Sequence, residues 1–131
     1  MNVSDQFMLA LTAWRENRGG MRIGMQSVMN VVMNRAAKSH ETPYQVCVAR
    51  LQFSSITASG DPQLTLWPLP NDPQWLTALA LAESAVNGEL ADITNGATSY
   101  YALSIKTPPY WAASMTPTAE IAGQKFFREA A

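Results

Sequence analysis

The segment A-W-R-E-N-R-G-G, residues 13–20, closes one apolar pattern and opens another, and this junction sets the fold class. Upstream, Phe7, Leu11 and Trp14 recur at helical spacing behind Ser4, a candidate N-cap. Asn17 to Gly20 stop that pattern. Downstream, Met25, Val28, Val32 and Ala36 form a longer stripe, which predicts a central helix from about Met21 to Ser39, buried along one side. One carboxylate, Glu16, therefore stands where a helix runs out into a glycine turn. A side chain there can be half buried and still face a cleft.

Working outward, Thr42-Pro43 caps and opens a short helix through Val46 to Leu51, because proline is favoured at a first helical position. Residues 54–74 hold Gly60, Pro62, Pro68, Pro70 and Pro73, and read as a long irregular loop around Trp67. Asp72-Pro73 then starts a helix with Leu76, Leu79, Ala80, Glu83 and Val86 on its apolar stripe and Gly88 at its end. Beyond it, T-N-G-A-T-S-Y-Y-A-L and A-G-Q-K-F-F carry β-favouring clusters separated by Pro108-Pro109 and Thr116-Pro117, which predicts a small hairpin or sheet. No repeat, heptad or linker divides the chain. The expected fold is α+β, mostly α: one domain over residues 1–131 with a small C-terminal β element.

Composition narrows the function. With 131 residues, 47% apolar and 15% charged, the chain has the make-up of a compact globule that folds without metals or disulfides. A net charge of -1 with scattered basic residues gives no electrostatic case for nucleic acid or for membrane surfaces. Cys47 and His40 are single, so no internal disulfide and no Cys/His zinc site can be assembled, and no metal or other cofactor is expected. His40 lies in the polar K-S-H-E-T stretch and reads as a loop residue, which argues against a Ser-His-Asp or Cys-His arrangement. Cys47 reads as a buried thiol without function. M-N-V-S-D-Q shows no signal-peptide pattern and no apolar run is long enough to cross a membrane. The expectation is synthesis in the cytoplasm and, for any substrate outside the membrane, delivery by another route.

Glu16 suits glycan cleavage by a single carboxylic acid, which requires apolar neighbours such as Trp14 on one side and an opening for the glycosidic oxygen on the other. The local pattern equally allows a solvated residue in a helix's last turn. A second carboxylate, needed by an ordinary glycosidase, would come from Asp61, then Glu83 or Asp92. Each has a structural alternative: Asp61 lies in the turn sequence S-G-D-P, and Glu83 suits a boundary residue paired with an arginine. Tyr100, Tyr101, Tyr110 and Trp111 offer flat faces on which sugar rings stack, although neighbouring Tyr100 and Tyr101 on one strand point to opposite faces. Asn34 and Arg35 either bind substrate or finish the second helix.

Taken in order, E-N-R-G-G, M-N-V-V-M-N-R, P-Y-Q-V-C, Q-F-S-S, G-A-T-S-Y-Y-A and I-A-G-Q-K-F-F resemble the spore-cortex-lytic cell wall hydrolases of the SleB type, a family that includes bacteriophage lysis and virion proteins. The likeness runs from about Leu9 to Phe127. It implies a lysozyme-like, lytic-transglycosylase-type fold and cleavage of the β-1,4 bond between N-acetylmuramic acid and N-acetylglucosamine in peptidoglycan. By family position Glu16 is the catalytic acid and base, and Gln52 and Tyr101 line the groove; Ser54, in the same Q-F-S-S segment, is a further candidate for substrate binding. The chain departs from the family pattern at Gly20, where a second glutamate is usual, and at Ser99 and Gln124, where histidines are usual. The resemblance implies peptidoglycan strands as partner, with a virion or holin-type route of delivery. Two other readings stay open: a hydrolytic muramidase using Glu16 with Asp61, and a non-catalytic wall-binding or virion module.

Overall fold

The computed structural model describes residues 2–49 and 52–129. Helix α1 spans Val3–Asn17 and α2 Met21–Ser39, joined by a 3-10 turn at Arg18–Gly20. Asn2, not Ser4, caps α1, its side chain accepting from the backbone of Ser4 and Asp5. His40, in the left-handed conformation with φ of 58°, ends α2 and is exposed. Thr42 and Gln45 form a reciprocal capping box over α3 at Pro43–Val48. The helix ends at Val48, since Ala49 is extended with ψ of 136°, short of the predicted end at Leu51, which lies outside the described residues.

The proline-rich stretch is less irregular than expected. It contains α4 at Ser54–Thr57 and a 3-10 turn at Pro62–Thr65, capped by Asp61. Helix α5 spans Pro73–Val86 behind the Asp72 cap. Its buried face is Trp75, Ala78, Leu81, Ala82 and Ala85, one position away from the stripe read in the sequence, so Leu76 and Glu83 face outward. Trp75 decides that rotation, because its ring packs edge-on against Phe7 with centroids 5.7 Å apart.

Strands β1 (Ser99–Ala102), β2 (Met115–Ile121) and β3 (Gln124–Glu129) form an antiparallel sheet in the order β1-β3-β2. Ala122 and Gly123, both at positive φ (49° and 80°), make the two-residue turn between β2 and β3. Thr116-Pro117 does not separate elements but lies inside β2, at the sheet edge beside a register shift, where a missing N–H is tolerated. The main core gathers α1, α2, α3 and α5 around Leu9, Trp14, Met25, Met29, Trp75 and Leu81. Val31, on the other side of α2, packs with Ala97 and Phe126 beneath the sheet. From Gly24 to Val32 every residue of α2 is buried, so this helix is enclosed all round and not along one side only.

Candidate active site

Glu16 occupies the last turn of α1 and is half-buried. Across from it, the Tyr100 hydroxyl on β1 donates a hydrogen bond of 2.5 Å to Glu16 Oε1. The Tyr100 ring rests on Phe126, its partner in the β1–β3 register, with centroids 5.4 Å apart. Desolvation, reinforced by the Glu16 carboxylate, holds the Tyr100 hydroxyl well above the usual phenol range, so it keeps its proton and acts as a donor. The arginines on either side of Glu16 turn elsewhere. Buried Arg15 donates to the carbonyls of Ser55 (2.9 Å) and Leu66 (3.0 Å) and lies under the Trp67 ring. Arg18 donates to Trp14 O and to Gln63 Oε1 and stacks on the Trp14 ring. Both fasten the 54–67 segment to the end of α1. Trp14 itself belongs to the main core.

The glycine turn behind Glu16 is tightly filled. Asn17 Oδ1 accepts from Gly20 N, while Asn17 Nδ2 donates to Gln124 Oε1 (3.2 Å) and Ala122 O (3.4 Å), bringing the β2–β3 turn against the end of α1. A Cβ on Gly20 would lie 2.8 Å from Ala122 Cβ and 2.9 Å from the Asn17 amide, so no side chain fits there without movement. Met21 follows with φ of 60° and ψ of -150°, a conformation that strains any residue except glycine.

The other carboxylates named from sequence have structural partners or face outward. Asp61 accepts from Ser54 Oγ (2.6 Å) and Gln63 N (2.8 Å), bonds that hold its carboxyl below the usual range. Ser54 is thereby engaged at the start of α4. Asp92 closes its own loop: burial opposes its charge, but bonds from Thr94, Asn34 and Gly96 prevail and lower its pKa. Glu83 is exposed on α5.

Asn34 and Arg35 connect α2 to the strand that carries Tyr100. Asn34 donates to Ala97 O (2.9 Å) and Asp92, and Arg35 donates to Thr98 O (2.5 Å) and Gln52 Oε1 (2.7 Å). Arg35 and Gln52 line a hollow of about 430 Å³ with Lys38, Thr98 and Ser99. Ser99 and Glu129 also border a second hollow, of about 450 Å³, that reaches Trp111. Tyr101 lies apart from Glu16, stacked on Phe127 (5.5 Å) with Trp111 edge-on to both, in a small aromatic cluster on the opposite face of β1 from Tyr100. Tyr110 is 95% exposed.

The family profile described as Cell Wall Hydrolase matches residues 19–127. The chain belongs to the cell wall hydrolase family. The match begins at Gly19, three residues after Glu16. No curated protein matches the chain in a sequence comparison. Among solved structures, the catalytic domain of the germination-specific lytic transglycosylase SleB from Bacillus anthracis superposes with a TM-score of 0.74 at 23% identity, covering 98% of this chain and 97% of that one. The catalytic domain of the Bacillus cereus SleB protein does so with a TM-score of 0.75 at 22% identity, covering 98% and 92%. The two share the fold of this chain.

In this cell wall hydrolase the three departures from the family pattern have structural counterparts. Gly20 sits in space already taken by Ala122 and Asn17, Gln124 holds Asn17, and Ser99 opens onto both hollows. Among the described residues no group of three His, Cys, Asp or Glu side chains is placed to hold a metal ion, and no helix is long and apolar enough to cross a membrane. The sequence reading missed Arg15, Arg18 and Asn17 as the residues that fasten two distant segments around Glu16. R-E-N-R carried a usable signal, since positions 15 and 18 share a helix face that position 16 does not.

Proposed function

We propose that this cell wall hydrolase is a lytic transglycosylase that cleaves the β-1,4 bond between N-acetylmuramic acid and N-acetylglucosamine, with Glu16 as its single acid and base. The observation that carries this reading is the setting of Glu16: half-buried at a helix end, bonded to a neutral hydroxyl, while Asp61 and Asp92 are committed to loop bonds and Glu83 points outward. The shared fold with a SleB lytic transglycosylase domain supports it. The protonated Glu16 carboxyl gives its proton to the glycosidic oxygen as the bond to muramic acid C1 breaks, and the electron pair leaves with the N-acetylglucosamine oxygen. The resulting carboxylate takes the proton of the muramic acid C6 hydroxyl while that oxygen bonds to C1. A 1,6-anhydro ring closes, and neither a second carboxylate nor an attacking water is required. The product forms at the wall, after release or delivery of the protein.

The test is digestion of purified peptidoglycan by the wild type and by Glu16→Gln, with mass spectrometry of the released muropeptides. Anhydro-muramyl products that disappear in Glu16→Gln are expected. Reducing muramic acid ends would instead identify a hydrolytic muramidase, and no release by the wild type would leave a wall-binding module.

A further inference from the structure

The Tyr100–Glu16 contact joins residues 84 positions apart and is the single hydrogen bond to the Glu16 carboxyl group among the described residues. Three features fix the tyrosine. Its ring packs on Phe126 and its strand is paired with β3 from Ser99 to Ala102. The backbone just before it is held by Arg35, whose Nε donates to Thr98 O, while Thr98 N donates to Phe127 O at 2.8 Å. The guanidinium of Arg35 in turn bears on Gln52 and on the Phe53 ring. Such support gives the hydroxyl little freedom to leave Glu16.

We infer that Tyr100 is a positioning residue: its hydroxyl occupies Glu16 Oε1, so that Oε2 is the one oxygen that both delivers and recovers the proton in the reaction proposed above. This inference rests on the assignment of Glu16 and adds a restriction to it. A carboxyl group with two equivalent oxygens can rotate between the leaving oxygen and the C6 hydroxyl. One oxygen pinned at 2.5 Å removes that rotation and leaves a single proton-carrying site whose position is set before substrate arrives. Tyr100 remains neutral throughout because burial and the neighbouring carboxylate both oppose the phenolate.

The experiment compares Tyr100→Phe with the wild type in muropeptide release over a range of peptidoglycan concentrations. Removal of the hydroxyl alone is expected to lower kcat about 10- to 100-fold and leave KM within about twofold, since positioning acts on the reacting atoms and not on glycan binding. An independent readout is the tyrosinate absorbance titration. One of the four tyrosines should ionise far later than the others in the wild type, be missing in Tyr100→Phe, and ionise earlier in Glu16→Gln. A kcat for Tyr100→Phe within twofold of wild type, or no late tyrosine in the wild type, overturns the inference. Full activity of Glu16→Gln would instead overturn the assignment of Glu16, so the two failures are distinct. If Tyr100→Phe does not fold, the titration of Glu16→Gln still decides.

Discussion

At Met21 the chain adopts backbone angles that glycine alone takes without strain, directly behind the turn that follows Glu16. Met21→Gly should raise stability by about 1 kcal/mol: relief of a strain of about 1–3 kcal/mol, reduced by the greater freedom of glycine in the unfolded chain. The denaturant midpoint measures it, and a fall would show that the strain is compensated by the exposed methionine side chain. Cys47 supplies a second prediction. Burial pushes its thiol up to about 11, so at pH 8 only about one molecule in a thousand carries the thiolate. The native protein should resist a thiol-disulfide reagent at that pH and be labelled stoichiometrically once unfolded. Residue identity made Cys47 legible in advance. It did not reveal which oxygen Glu16 offers, because the Tyr100 hydroxyl comes from a strand near the other end of the chain.

Helix α2 was legible as an apolar stripe, but the work of its polar residues was not. Gln26, Asn30 and Asn34, four residues apart, form a ladder that fastens the 91–97 loop: Gln26 and Asn30 both donate to Ala91 O, Asn30 accepts from Ile93 N, and Asn34 donates to Ala97 O. Their partners lie about sixty residues away, so no local pattern announces them. Asn30→Ala leaves the Ile93 N–H without its acceptor and should cost about 1–3 kcal/mol. Hydrogen exchange should accelerate at Ile93 and across the loop before it does so in α5. The same loop sets a pH dependence. Asp92 is lower in the folded than in the unfolded chain, so its contribution is present above the ordinary carboxylate range and is lost as pH falls through its lowered value. Acidification below about pH 4 should therefore loosen residues 91–97 first, as amide chemical shifts would show. On α5 the sequence placed the apolar face one position off, because Leu76 and Leu79 outweigh the small residues by hydropathy, whereas the structure buries Trp75 and three alanines.

Over the whole molecule, residues far apart in sequence close on one another at the end of α1, where Ala122 leaves no room for a side chain at Gly20. Gly20→Ala should destabilise by about 1–3 kcal/mol, as overpacking does. Ala122→Gly, which removes one obstructing methyl at a position with φ of 49°, should recover part of that loss when combined with it, the contact with the Asn17 amide remaining. Additive effects of the two changes would show that they do not compete for the same space. The overall α-rich architecture with a C-terminal sheet was readable from periodicity and turn residues, since both are local. The convergence of α1, the 54–67 segment and the β2–β3 turn was not, since it depends on side-chain-to-carbonyl bonds that leave no trace in hydropathy. Finally, the single thiol of these 131 residues is sealed in the core, so no covalent cross-link waits to be made or broken. Folding of these residues needs no oxidant to form a disulfide and offers no disulfide to reductants, so a change of redox compartment leaves its covalent framework as it was.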